Sequence, residues 1–471
     1  MSSSLFGSCA APTCGTLRAM RAVQCGFVVA ALALSACSDP IPSRSDGGAD
    51  ASVLPDLVVE LPFNGPEVTE TRTVDAQPGI LDVHFSIDTS ASFSDEIATL
   101  ERDLSTRLIP NLRARVNDTA FGVSSFEDFP VSPFGTDDDL PFELAAAITT
   151  EASVAQAAVA GLELGSGGDS AESGYEALYQ IATGEGIGAF VEPFTGEGEG
   201  GVGFREGALR VVVHISDAPA HTPEEYGAAV PGAHGEDDVV SAMQNINALV
   251  VGIASGAEAR PQLEQLALDT GAVVDPDSDG NCPTGLGGAA VPPVSGVCPQ
   301  VFDISGGGDG LSDAVEDGIV GLLDTVRFNE VFGETIDDPE GFVQGFVARG
   351  FSAPDVEPPR IVDLRPPGDG VDDTFQDVSR GTELRMGILL RNTSVRPTSV
   401  TQEFLVRVNI VGDEAVIEAL DILVIVPPEG GSPGSVSGGG ILSDGSCSAS
   451  SGRSGGFLVL LILAFVGWRR R

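Results

Sequence analysis

The chain contains no lysine, so each of its 24 basic residues is an arginine. A Walker A phosphate loop, a Schiff-base enzyme and a Ser–Lys dyad all need a lysine, and all three are excluded. Positive charge is scarce in any case: 69 acidic residues outweigh the 24 basic ones, for a formal net charge of −45. Nucleic acid and anionic lipid would be repelled by such a chain, whereas cations would be drawn to it. Histidine is rare too, with four in 471 residues, and no H-E-x-x-H occurs, which removes zinc proteases of that class. The apolar run Phe457–Trp468 has twelve residues. That is about 18 Å of helix against a hydrocarbon core of about 30 Å, a poor permanent anchor.

What remains is a chain long enough for two domains with tails. Its 42% hydrophobic and 20% charged residues exclude a wholly disordered protein, while 60 glycines and 31 prolines promise long loops. Arg18 and Arg21, the apolar run from Phe27 to Leu34 and then Ser35, Ala36 and Cys37 have the order of a secretory signal over residues 1–36, starting at Met1 or Met20. The Leu-Ser-Ala-Cys ending is similar to a bacterial lipobox, which implies lipidation of Cys37; the alternative is an ordinary signal with an incidental cysteine. Residues 37–53 read as a polar tether. Residues 429–456 are a linker rich in glycine and serine that carries Cys447, and 457–471 combine the short apolar helix with an arginine cluster. This end resembles the C-terminal sorting tags of myxobacterial-type surface proteins, implying processing near Cys447; a weak tail anchor is the other reading. The expected address is the outer membrane or cell surface, with membrane contact only through these ends.

Between the ends, strands and helices alternate. Ile80–Ile87, Thr119–Phe126, Phe142–Ile148, Ala208–Ser216, Ala248–Ala254 and Ala272–Val274 read as strands, and Val211-Val212-Val213 marks the clearest buried one. Helical spacing covers Ser94–Val116, Ala152–Leu162, Gly174–Thr183, Val239–Asn247, Pro261–Thr270 and Leu311–Phe328. Continuous apolar strands separated by helices predict an α/β domain over 79–328 with a doubly wound, mostly parallel sheet, which takes ligands at the carboxyl ends of its strands. Beyond it, Gly341–Ala348, Ile361–Leu364, Glu383–Leu390, Thr401–Val411 and Ala415–Val426 predict a β-sandwich domain over 329–428. Leu57–Leu61 and Thr71–Val74, within 54–78, are strand-like flanks that would complete the same sandwich. Cys282 and Cys298, a lone pair in an exported chain, predict a disulfide.

The first strand runs into Asp88-Thr89-Ser90-Ala91-Ser92, which sets one carboxylate and two hydroxyls around a single point. An oxygen-only set suits Mg²⁺, Ca²⁺ or Mn²⁺ better than zinc. Taken alone, Asp88 and Ser90 also fit a cap for the next helix. Gly168-Asp169-Ser170-Ala171-Glu172 and the strand end Ser216-Asp217-Ala218-Pro219 follow in order. With these three segments the chain resembles the von Willebrand factor A family, most closely the A-type domain of integrin β chains. The resemblance implies a metal-ion-dependent adhesion site in which Asp88, Ser90, Ser92, Glu172 and Asp217 hold a central ion. It further implies Asp95 and Glu96 beside an adjacent ion and Asp169 beside a third, where Ala171 replaces the expected proline.

Asp275, Asp277 and Asp279 form half of an EF-hand-like loop, but Leu286 stands where the bidentate glutamate belongs, so an acidic turn competes with a second metal site. His84 and His214 fall in strands and read as packed core; His221 and His234 read as solvated loop residues. No catalytic constellation emerges, and no enzyme is expected. The functional expectation is an exported protein that binds a protein or glycan ligand, through a ligand carboxylate, at the divalent cation. The alternative is a structural or assembly role in the envelope with the metal stabilising the fold.

Overall fold

Ile80–Asp88 is buried on both faces, with Leu81, Val83, Phe85 and Ile87 on one and Asp82, His84, Ser86 and Asp88 on the other, and it takes the middle of a six-stranded sheet. The computed structural model describes residues 54–353 and 356–430. The signal, the tether, Cys37, Cys447 and the C-terminal apolar helix lie outside the described residues. The chain is a mixed α/β protein with several sheets.

Across the central sheet the order is Val301–Asp303, Ala248–Ala254, Leu209–Ser216, Ile80–Asp88, Asp118–Phe126 and Glu143–Thr149. Each neighbouring pair is parallel except the last, where Glu143–Thr149 runs antiparallel. Counting outward from Ile80–Asp88, the chain first builds toward Asp118–Phe126 and then returns to the other side at Leu209–Ser216. The order therefore reverses beside the carboxyl end of Ile80–Asp88, and such a reversal opens a crevice between the loops that leave in opposite directions. Burial on both faces explains the apolar triplet Val211–Val213 at the centre of Leu209–Ser216.

Three elements depart from the expectations. Ser94–Val116 is not one helix: Ser94–Asp103 and Ile109–Arg115 are joined by a π-helical stretch, Leu104–Leu108. Pro110 has no N–H for the carbonyl of Thr106, so the ladder widens ahead of it while Leu100, Leu104, Leu108 and Leu112 stay buried on one stripe. Ala272–Val274 shrinks to Val273–Val274, which pairs with Cys298–Pro299 outside the central sheet, and Val301–Asp303 fills the sheet position instead. The last helix, Leu311–Thr325, ends before Phe328, because Phe328 and Val331 are buried by the strand Arg327–Asp337 in the second core.

That second core lies between two sheets. One has the order Leu57–Glu60, Ala415–Val426, Gln402–Gly412, Arg327–Asp337, Thr374–Ser379, Arg360–Val362; the other is Val343–Ser352, Glu383–Leu390, Val68–Asp75. Leu61, Val74, Phe342, Phe375, Met386 and Ile422 are buried together there. Leu57–Glu60 lies parallel to Ala415–Val426, and Val68–Asp75 lies antiparallel to Glu383–Leu390, so strands from before and after the α/β region share one core. The chain enters the α/β region at Gly79, whose N–H donates to Val416 O; a Cβ there would sit 2.4 Å from Ile417 O, so only glycine allows the approach.

Candidate functional site

Asp88 ends its strand fully buried, and the chain then turns away from the sheet. Ser90 N–H donates to Asp88 Oδ1 at 2.9 Å, and this Asx-type turn brings Ser90 Oγ within 3.2 Å of Ser92 Oγ. From the adjacent parallel strand, the Ser216 hydroxyl donates to Asp88 Oδ2 at 2.8 Å, and Asp217 follows it at the sheet edge. The segment holding Glu172 is laid against the same loop by backbone bonds: Glu172 N–H donates to Pro219 O and His221 N–H to Glu172 O.

The electrostatics show how crowded the carboxylates are. Burial pushes Asp88 up to about 6 even though Ser90 and Ser216 hydrogen-bond it, and Asp217 adds to the rise. Burial, then Asp88, Asp128, Asp139 and Asp217, push Glu172 up to about 9. Glu172 is 5% exposed, and its Oε2 has no hydrogen-bond partner. Glu96 is buried as well, with Ser255 O–H donating to Oε1 and Oε2 unpartnered; burial raises it, with Asp217 and Asp95 contributing. Asp95 stays exposed. Buried carboxylate oxygens with no donor, beside others that repel them, fit a divalent cation: its charge would offset the repulsion and its coordination sphere would take the orphaned oxygens. Among the described residues Asp88, Glu172 and Asp217 do not form a group whose donor atoms all lie within 4.8 Å of one another, whereas Asp128, Asp169 and His221 do.

Asp169 is placed elsewhere. Its Oδ1 lies 3.0 Å from His221 Nε2, and His221 is buried, not the solvated loop residue expected from its surroundings of Glu224 and Glu225. Burial alone would lower His221, but Asp128 and Asp169 outweigh it and push it up to about 9. His234 also departs from a solvated turn: Nδ1 lies 2.9 Å from Glu176 Oε2 and the ring stacks on Tyr179 at 3.5 Å. His84 and His214 are core residues facing Ser124 and Ser86, and burial pushes both down to about 3.

Asp275, Asp277 and Asp279 are all exposed. Asp277 Oδ1 accepts the N–H groups of Asp279 and Asn281, which makes this an exposed acidic turn ahead of the Cys282–Cys298 disulfide, whose Cα atoms are 5.4 Å apart. Glu127 and Asp128 belong to no recognisable motif, although they follow the carboxyl end of Asp118–Phe126 just as Asp88 ends its own strand. The same strand-end rule finds them. Glu127 accepts Thr89 O–H and Leu140 N–H, and burial pushes it up to about 7.

No family model matches the chain, and no curated protein matches it. Solved structures that do match include "von Willebrand factor type A from Catenulispora acidiphila", 12% identical over 79% of this chain and 72% of that one, with a TM-score of 0.32. Two crystal forms of proximal thread matrix protein 1 from the mussel byssus also match. One is 16% identical over 54% of this chain and 47% of that chain, the other 14% over 55% and 48%, each with a TM-score of 0.29. This chain spans about half the length of the byssus protein.

Proposed function

We propose that the protein is exported to the cell surface and that residues 79–328 are a doubly wound domain of von Willebrand factor A type, set into a β-sandwich. In this reading it binds a protein or glycan ligand through a divalent cation, Mg²⁺ or Ca²⁺, at Asp88, Ser90, Ser92, Glu172 and Asp217. The observation that carries the reading is the set of buried, mutually repelling carboxylates at the reversal of strand order, two of them with unpartnered oxygens. A cation there supplies a Lewis-acidic point charge for a carboxylate of the ligand. Asp88 is oriented from two sides by Ser90 and Ser216, while Ser92 is exposed and Asp217 half-buried, which leaves the cluster open to solvent on one side. That opening favours a ligand-binding site over the alternative of a purely structural ion in an envelope-assembly protein, for which closure on all sides is the expected arrangement. Binding without catalysis is part of this proposal.

The test is calorimetric titration of Mg²⁺ or Ca²⁺ into the chelator-treated full chain, wild type and Asp88→Ala. Saturable binding in the wild type that disappears in the variant supports the site. Identical traces for the two proteins overturn it.

A further inference from the structure

The disulfide-closed loop between Cys282 and Cys298 takes no part in the Asp88 cluster, and its composition is unlike the rest of the chain. No charged residue falls between Asp279 and Asp303, the longest such interval in a sequence of net charge −45. The next longest, between Asp238 and Glu258, is accounted for by a helix and a strand with buried faces, Glu236–Asn245 and Ala248–Ala254. Here the uncharged residues are on the surface. Leu286 is 59% exposed, Ala289, Ala290 and Pro292 are exposed, and Val291, Val294 and Val297 are half-buried.

The segment is held as a preformed strand edge. Cys282–Gly285 and Ala289–Val291 form an antiparallel pair, Gly285 against Ala289 and Cys282 against Val291, closed by the tight turn Leu286–Gly288. Among the described residues Ala289–Val291 pairs with no other strand, so one side of it is a free edge. The base is fixed: the disulfide joins the ends of the loop, and Arg260 donates to Thr284 O at 3.2 Å and to Thr284 Oγ1 at 3.1 Å while pairing with Asp303 at 2.8 Å. Beyond Val291, Pro292 and Pro293 stop the edge, and Val294 and Val297 close a second turn by N–H to carbonyl bonds in both directions. Free edges are ordinarily guarded by charge, and this one carries none. Little conformational entropy is left to lose when such an edge pairs.

Charge decides what fits it. A basic partner would be drawn to the acidic surface of the rest of the chain, whereas an uncharged patch is where a partner of the same sign can approach with least repulsion. A second copy of this chain is such a partner. Like strands brought together about a twofold axis run antiparallel, so the edge Ala289–Val291 matches itself. A lone two-stranded hairpin is marginal in water; two of them joined edge to edge make a four-stranded sheet whose apolar residues cover one another.

We propose that the hairpin Cys282–Val291 is a self-association surface, through which two copies of the chain form a twofold dimer joined edge to edge at Ala289–Val291. It stands independently of the ligand-binding reading. A dimer built this way carries two copies of the Asp88 cluster and so meets a repetitive ligand with two sites instead of one.

Sedimentation velocity of the full chain, reading monomer against dimer, tests this at ~0.1 M and ~1 M NaCl, between which the Debye length falls from about 10 Å to about 3 Å. The expected result is a concentration-dependent dimer that tightens at the higher salt, because repulsion between the acidic bodies is screened while the apolar contact is not. Ala290→Asp, at an exposed position, sets like charges opposite each other and should weaken the dimer at least ~100-fold. Leu405→Asp, at an exposed apolar residue of the distant strand Gln402–Gly412, should leave it unchanged. Antiparallel neighbours lie about 4.5–5.5 Å apart at Cα, within the range a disulfide spans, so Ala289→Cys or Ala290→Cys should cross-link two copies on oxidation. A chain that stays monomeric up to ~100 µM in both salts overturns the proposal. So does association that survives Ala290→Asp or is lost in Leu405→Asp, or the absence of a cross-link in both cysteine variants.

Discussion

Replacing Asp88 by asparagine should stabilise the protein in chelator and destabilise it relative to wild type in the presence of the cation. The folded carboxyl titrates at about 6, against about 3.9 in an unfolded chain. An acid raised in this way costs stability once ionised: the cost is complete above pH 6, fades as the pH falls toward 4, and is absent below that. Two units correspond to about 3 kcal/mol. Asparagine keeps the shape and still accepts Ser216 O–H, but its amide would face Ser90 N–H donor to donor, which returns about 1–2 kcal/mol. The variant should therefore be about 1–2 kcal/mol more stable than wild type at pH 7.5 in chelator, and the gap should close near pH 4. With cation at 100 times its Kd the wild type gains about 2.7 kcal/mol and the variant nothing, so the order inverts. Thermal melts of both proteins in chelator and in saturating Mg²⁺ or Ca²⁺ measure all four quantities. A variant less stable than wild type in chelator, or an equal response of both to the cation, refutes the reasoning.

His84 and His214 are buried neutral with folded values of about 3, so stability present above pH 6.5 is lost as the pH falls toward 3. His214→Gln, which can still bond Ser86, should move the acid-unfolding midpoint to lower pH, and an unchanged midpoint by circular dichroism would contradict the assignment. Leu61 is 1% exposed in the second core, with its carbonyl accepting from Asn392 Nδ2, so Leu61→Ala should cost about 2–5 kcal/mol in urea unfolding. A loss below 1 kcal/mol would mean that the segment before Gly79 contributes little to that core.

Legibility followed the range of the contacts involved. Leu209–Ser216 shows in the sequence because burial on both faces leaves the three consecutive valines Val211–Val213, and Gly174–Thr183 because one helical stripe suffices to mark it. Val301–Asp303 is too short to have a period, and Thr374–Ser379 mixes polar residues into a buried strand, so neither stood out. Asp88 and Asp217 can be picked out as acids at strand ends. His221 cannot, because its burial depends on Asp169 and Asp128, distant in the chain, and the four residues on either side of it read as an ordinary polar turn. The interruption at Leu104–Leu108 could have been read from Pro110, whose missing N–H is a local fact.

The parallel pairing of Leu57–Glu60 with Ala415–Val426 also decides how the molecule would carry a pulling force. Because the strands point the same way, tension drawn backward from residue 54 and forward from residue 430 slides one strand along the other. The hydrogen bonds between them are then loaded together in shear, instead of opening one after another as in a peeled hairpin. The shortest load path runs across this one strand pair and bypasses the α/β region between Gly79 and Thr325. A tether attached at both ends of the described chain could thus be held taut while the loops around Asp88 remain unstretched.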